Sequence, residues 1–261
     1  MPERMEKTEK TARMGAMILG KGAPKICVPV MGRNGEQIAA AAARAYAAGA
    51  DLIELRADSL SAMPKETEAE AAMRAARENA PGLPLLFTLR TTRDGGAGSD
   101  ELAAYVGLLR FAAHSGLCEA IDCELSAGDA AFRAIADSAH EAGVCVVGSS
   151  HEFGEIGDMA RVRTWLMKQE ALGADICKAA VMVRTQTEAL EAALCMARAG
   201  EALSRPMIAI AMGAQGVLTR ICGECIGSCL TFATAGEASA PGQMDALQLR
   251  GIIESIHSAS R

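Results

Sequence analysis

Aromatic residues are scarce in this 261-residue chain: one tryptophan, two tyrosines and five phenylalanines, 3% of the total. Its core must be filled by aliphatic side chains, with fourteen methionines as flexible gap-fillers. A basic surplus is also missing. Twenty-six Lys and Arg against thirty-two Asp and Glu leave a net charge of -6, so a phosphate backbone has nothing to hold it and nucleic acid is excluded as a partner. No apolar run approaches the roughly 18 residues that cross a bilayer, which excludes a helical membrane protein. The opening MPERMEKTEKTAR mixes acids with bases and lacks the apolar centre of a secretory signal. Nine cysteines, scattered and odd in number, do not make a disulfide framework, so reduced thiols in the cytoplasm are expected. No Pro/Gly/Ser-rich linker divides the chain, and a single domain is expected.

What the chain does have is alternation. Short apolar runs lie at 26–30, 51–55, 83–89, 119–125, 144–150, 174–182, 206–212 and 228–233, separated by alanine-rich amphipathic stretches such as 36–50 and 161–173. They recur at the length of one strand–helix unit. Gly49, Gly116, Gly143 and Gly173 stand where helices would end, and His114 and His140 lie in the turns before two of them, a structural placement that suits the helix dipole. Strands apolar on nearly every residue belong to a parallel sheet covered on both faces. Eight such units predict a (β/α)8 TIM barrel over residues 26–261. A doubly wound open sheet would want a glycine fingerprint after its first strand, and MGRNGEQ does not supply one. Residues 1–25 fall outside the count; within them 14–25, with its Gly-Lys-Gly turn, predicts a short hairpin closing the barrel bottom.

A barrel builds its site at the carboxyl ends of its strands. Lys178, one of only seven lysines, stands inside the apolar strand ICKAAVM. An ammonium is costly to bury there, and desolvation favours the neutral amine, the form that attacks carbonyls to give a Schiff base. The alternative is a lysine whose charge pairs with a carboxylate at the barrel mouth. His151 follows the neighbouring strand on the same face and is a natural proton shuttle. Arg56 and Arg90 end two strands and Arg220 enters the helix after the seventh, a set suited to a small anionic substrate. Glu54, Asp122 and Glu124 are acids in apolar strands, and Glu54 and Glu124 are expected to pair with these arginines. Three signals are set aside. The cysteines of CGECIGSC are too few for an iron–sulfur site, and the glycine-rich 94–98 and 213–216 carry no lysine for a phosphate.

The ordered motifs IELRAD (53–58), LLFTLR with DGG (85–96), IDCEL (121–125), SSHEF (149–153), ADICKAAVM (174–182), GVLTR (216–220) and SAPGQ (239–243) resemble type I 3-dehydroquinate dehydratase, the Schiff-base dehydratase of the shikimate pathway. The resemblance runs from about residue 23 to the C-terminus. It implies a barrel with an N-terminal hairpin, usually a homodimer, that needs no metal or organic cofactor and acts on 3-dehydroquinate. It further implies Lys178 as the imine-forming lysine and His151 as the general acid/base. Glu54, Arg56, Arg90, Arg220, Ser239, Gln243 and Met212 match substrate-binding positions, the two from SAPGQ on a closing loop. One departure matters. The family holds its histidine with a glutamate before two glycines, and this chain has Asp94 there, shorter by a methylene, so the loop must move in, a water must bridge, or the histidine is less well oriented. A Schiff-base aldolase or transaldolase acting on a sugar phosphate shares the lysine but wants a phosphate site in place of the arginines.

Overall fold

The computed structural model describes residues 10–154, 159–236 and 242–260. Its strands follow the apolar runs closely. β1 (Ala12–Met14) and β2 (Met17–Leu19) form an antiparallel hairpin. After it come β3 (Lys25–Val30), β4 (Leu52–Arg56), β5 (Leu85–Thr88), β6 (Ala120–Glu124), β7 (Cys145–Glu152), β8 (Ile176–Met182), β9 (Met207–Met212) and β10 (Leu230–Phe232). All eight pair in parallel, in the order β10-β3-β4-β5-β6-β7-β8-β9.

The last seam, between β9 and β10, is not a full ladder. Cys229 N–H donates to Met207 O at 2.7 Å, and the Ser228 hydroxyl takes Ala209 N–H at 3.0 Å while donating to Leu230 O at 2.9 Å. A serine side chain thus replaces missing backbone partners where the ring closes, as buried polar groups require.

Helices α1 (Gly35–Ala47), α2 (Glu66–Asn79), α3 (Leu102–His114), α4 (Asp129–Glu141), α5 (Ala160–Ala171), α6 (Gln186–Ala202), α7 (Val217–Ile221) and α8 (Ala246–Ala259) follow the barrel strands in turn. Asn34, Thr185 and Asp245 cap α1, α6 and α8 with side-chain oxygens on first-turn N–H groups. The four expected C-terminal glycines all adopt positive φ. His114 and His140 close α3 and α4, bonded to Ser138 and Asp175 at 3.1 and 2.9 Å.

Alternation along the strands sorts the core into two shells. Ile53, Leu55, Phe87, Ile121 and Val146 face outward and pack under the helices. Leu52, Leu86, Ala120, Val147, Ile176, Ile208 and Leu230 face inward and form an apolar floor, completed by Met14 and Leu19 of the hairpin. The hairpin therefore lies at the barrel's amino end, but it turns at Gly15–Ala16 rather than at Gly-Lys-Gly. That triplet, with Gly20 and Gly22 at φ 86° and 73°, serves the passage into β3.

Candidate active site

Above the floor, the next inward positions are polar. Glu54 and Arg56, Thr88, Asp122 and Glu124, Ser149 and His151, and Lys178 rise from β4 to β8 at period two, and all but Arg56 and His151 are buried. They surround a cavity of about 240 Å³ whose lining includes Glu54, Arg56, Arg90, Asp94, His151, Lys178, Met212, Arg220 and Gln243. Drug-sized ligands occupy roughly 300–1,000 Å³, so this cavity suits a smaller molecule.

Lys178 sits at its base with Nζ 3.3 Å from Asp122 Oδ2 and 4.6 Å from the centroid of the Phe232 ring. Asp122 is not the lysine's alone. Its Oδ2 also accepts from Arg90 Nη2 at 2.8 Å and its Oδ1 from the Ser149 hydroxyl at 2.6 Å. Burial works to raise this carboxyl, but the cations of Arg90 and Lys178 outweigh it and hold it well below the usual carboxylate range. Loss of a proton from Lys178 would leave Asp122 still paired.

His151 stands on β7, the strand beside β8, with Ser149 opposite Lys178 in register. Its Nδ1 lies 2.9 Å from Asp94 Oδ2, and its backbone N–H donates to the same oxygen at 3.2 Å. Burial alone would raise Asp94, but the hydrogen bond from His151 and the charge of Arg90 pull it down. An ionised carboxylate only accepts, so Nδ1 carries the proton and Nε2 keeps a free lone pair. Burial, with Arg90 and Lys178 adding repulsion, pushes the imidazole down to about 3 against the pull of Asp94. The ring is neutral at pH 7.

The shorter Asp94 reaches His151 directly, on a loop that is tied down from two sides. Glu124 takes Thr91 N–H at 2.9 Å and the Thr91 hydroxyl at 2.6 Å. Asp58 takes Ala97 N–H at 3.1 Å from the other side. Between them Thr92–Asp94 form a 3-10 turn that ends on Gly95 in the left-handed region, φ 79°. A Cβ on Gly95 would lie 2.2 Å from the Phe153 ring, which stacks 6.4 Å from the His151 ring at 13°. A Cβ on Gly96 would meet Arg90 O at 2.1 Å, and Gly216 is as tightly set against Ala211 O. These glycines admit close backbone packing and do not form an open phosphate cradle.

Three arginines reach the cavity, in different conditions. Arg56 is held in a fork by Asp58, Nε and Nη2 both at 2.8 Å. Arg90 is occupied by Asp122, by Glu124 at 2.9 Å and by Ser149 at 3.0 Å. Arg220 donates from Nη1 to Phe232 O at 3.4 Å, and burial pushes it down to about 10. An anion in the cavity would relieve that cost.

Residues 26–260 match the family described as Type I 3-dehydroquinase. The chain belongs to that family. A 3-dehydroquinate dehydratase of Klebsiella pneumoniae is 37% identical over 235 residues, covering 90% of this chain and 94% of the relative. One from Salmonella paratyphi B is 35% identical, covering 96% and 100%. The type I enzyme of Clostridium difficile, solved with covalently modified comenic acid, superposes with a TM-score of 0.92 at 31% identity over 97% of this chain and 100% of that one. The Geobacillus kaustophilus enzyme gives 0.91 at 30% identity, covering 97% and 98%.

Within this family barrel, the structure gathers nine of the ten site residues expected from the sequence; Ser239 lies outside the described residues. One pairing is corrected. Glu54 is not the ion-pair partner of Arg56 or Arg90: it accepts the Thr88 hydroxyl at 2.9 Å, and Asp58 takes Arg56. Glu124 does pair with Arg90. Sequence reasoning missed the roles of Asp58, Asp122, Phe153 and Phe232. Asp58 and Phe153 sit inside quoted motifs, and Asp122 was visible as a third acid in an apolar strand. Phe232 gave no signal beyond being apolar. Among the described residues no three His, Cys, Asp or Glu side chains gather as metal ligands.

Proposed function

We propose that the chain removes water from 3-dehydroquinate to give 3-dehydroshikimate through an imine on Lys178. The observation that carries this is the placement of Lys178 Nζ and a neutral, Asp94-oriented His151 on adjacent strands of one buried cavity that arginines also reach. The amine adds to the C3 ketone, one proton is taken up and water leaves, giving an iminium that withdraws electrons from C2. His151 Nε2 takes the C2 proton, and the pair left behind forms an enamine. The imidazolium, stabilised by Asp94, then returns that proton to the C1 hydroxyl, which departs as water. A second water hydrolyses the conjugated iminium, freeing product, amine and the proton taken up at the start, so one water is lost in sum. Arg220 and Arg56 are the proposed partners of the substrate's carboxylate and hydroxyls, with Glu54 and Gln243 completing the polar contacts and Met212 an apolar wall. Arg90 acts mainly by fixing Asp122 and Glu124.

The unit that carries the activity is one barrel domain, residues 26–261, with 1–25 as an extension. We place the reaction in chorismate biosynthesis in the cytoplasm and take the chain to work as a homodimer. Exposed Leu190 and Leu194, one turn apart on α6, are consistent with a covered face. No helix of the described residues is long and apolar enough to cross a membrane.

The test is borohydride reduction in the presence of 3-dehydroquinate, followed by peptide mass mapping. The ligand's mass is expected on Lys178, and Lys178→Ala is expected to lower turnover, followed by the absorbance of the enone product, by about a thousandfold or more. Label on another lysine, or none while product forms, overturns the assignment.

A further inference from the structure

We infer that Gln169, on the outer helix α5, is a positioning residue that fixes Lys178 relative to His151; the inference rests on the proposed imine chemistry. Gln169 is fully buried, although helix α5 is a surface element of the barrel. Its amide reaches the sheet and uses every polar group it has. Oε1 accepts Lys178 N–H at 2.9 Å, and Nε2 donates to Lys178 O at 3.0 Å and to the Ser150 hydroxyl at 3.0 Å. One side chain therefore grips both main-chain polar groups of the reactive lysine. It also grips the residue directly before His151.

The neighbourhood is shaped to admit it. Gly148 on β7 has no side chain, and a Cβ there would lie 3.0 Å from Gln169 Cβ and 2.9 Å from both Ala174 Cβ and the Phe132 ring. An apolar residue on the Val162–Leu166 stripe would pack this space without the amide. A polar group kept in a core must satisfy its bonds or cost stability, and this one satisfies them all on the two strands that carry the amine and the imidazole. What the amide adds beyond packing is a fixed offset between Cα of Lys178 and the end of β7. Proton removal from C2 depends on that offset, because misplacement by about 1 Å can cost a hundredfold in rate. Substrate affinity depends instead on the arginines of the mouth, which Gln169 does not touch.

The experiment compares wild type with Gln169→Met, which keeps the volume and deletes all three bonds, and Gln169→Glu, which matches the shape. For Gln169→Met we expect kcat to fall 10- to 100-fold with KM changed less than about threefold, and the ratio to wild type to stay flat with pH. For Gln169→Glu we expect a similar loss at pH 8 that recovers as pH falls, because a protonated carboxyl again offers Lys178 one donor and one acceptor. Packing alone would not produce that recovery. If both variants hold kcat within twofold of wild type, or if the two ratios run parallel across pH, the inference is overturned. Should Gln169→Met not fold, Ser150→Ala removes the bond to β7 alone; a several-fold loss in kcat at constant KM supports the clamp, and an unchanged kcat overturns it. The wild-type assay separates the two readings. Absent turnover there overturns the proposed function and this inference with it, whereas an active wild type with unimpaired variants overturns the role of Gln169 alone.

Discussion

A histidine enclosed with two cations and one carboxylate must choose a protonation state, and in this site it stays neutral. The cost of that choice shows as acid sensitivity. His151 is pushed down to about 3 from an ordinary 6.5, by burial first and then by Arg90 and Lys178. Below pH 6.5 the unfolded chain binds a proton at this residue that the folded chain refuses, so stability falls as pH drops from 6.5 toward 3, by up to about 1.4 kcal/mol per unit. Above pH 6.5 the group contributes nothing. Between pH 7 and 5 the wild type should therefore lose about 2 kcal/mol more than His151→Gln in urea unfolding. Parallel curves would mean that Asp94 already holds an imidazolium in the folded state. Much of the site was legible at this scale, since a lysine, a histidine and arginines in apolar strands are conspicuous. Partner choice was not. Glu54 and Glu124 are alike in sequence context, yet only the closed barrel decides that Glu124 meets Arg90 while Glu54 meets Thr88. Gln169 hid between Lys168 and Glu170 as one of three polar residues; its signal was its place on the stripe of Val162 and Leu166, at i, i+4, i+7.

Among the elements, the loop after β5 shows how a shorter acid is accommodated. Asp94 meets His151 from a turn that Glu124 and Asp58 tie from opposite sides, while Gly95 lets the chain turn left-handed under Phe153. Gly95→Ala meets two obstacles at once, a positive φ and a ring 2.2 Å from the new Cβ. We expect it to cost about 1–3 kcal/mol in unfolding free energy and to lower kcat, because Phe153 cannot stay stacked on His151. A stability loss with unchanged kcat would show that the ring can leave without disturbing the imidazole. The regular elements themselves were plain from the sequence: eight apolar runs, eight strands, with ends differing by a few residues. Strand pairing in a parallel barrel is local in order, so alternation alone predicts it. Which of the three alternatives for Asp94 would hold was not predictable, because the loop's position depends on tertiary bonds from β6 and from the turn after β4.

On the scale of the whole molecule, the barrel separates what holds it together from what it does. Its floor is apolar and is sealed by the hairpin, whose Met14 and Leu19 are fully buried against Leu52, Val147 and Ile176. Its mouth holds the ionisable groups. Conservation of volume matters below, charge and geometry above. Met14→Ala tests the separation. Deleting that side chain opens a cavity at the floor and should cost about 2–5 kcal/mol, lowering Tm by several degrees in a chain of this size. The polar layer at Glu54, Asp122 and Lys178 lies one inward step above the floor residues on β4, β6 and β8, and its bonds run sideways between strands rather than down into the floor. The variant's kcat and KM at 25 °C should therefore stay within about twofold of wild type while the fold holds. A fall in kcat that parallels the loss of Tm would show that the hairpin presses on the lysine layer through β4 and β8, and that the floor of this barrel belongs to its active site.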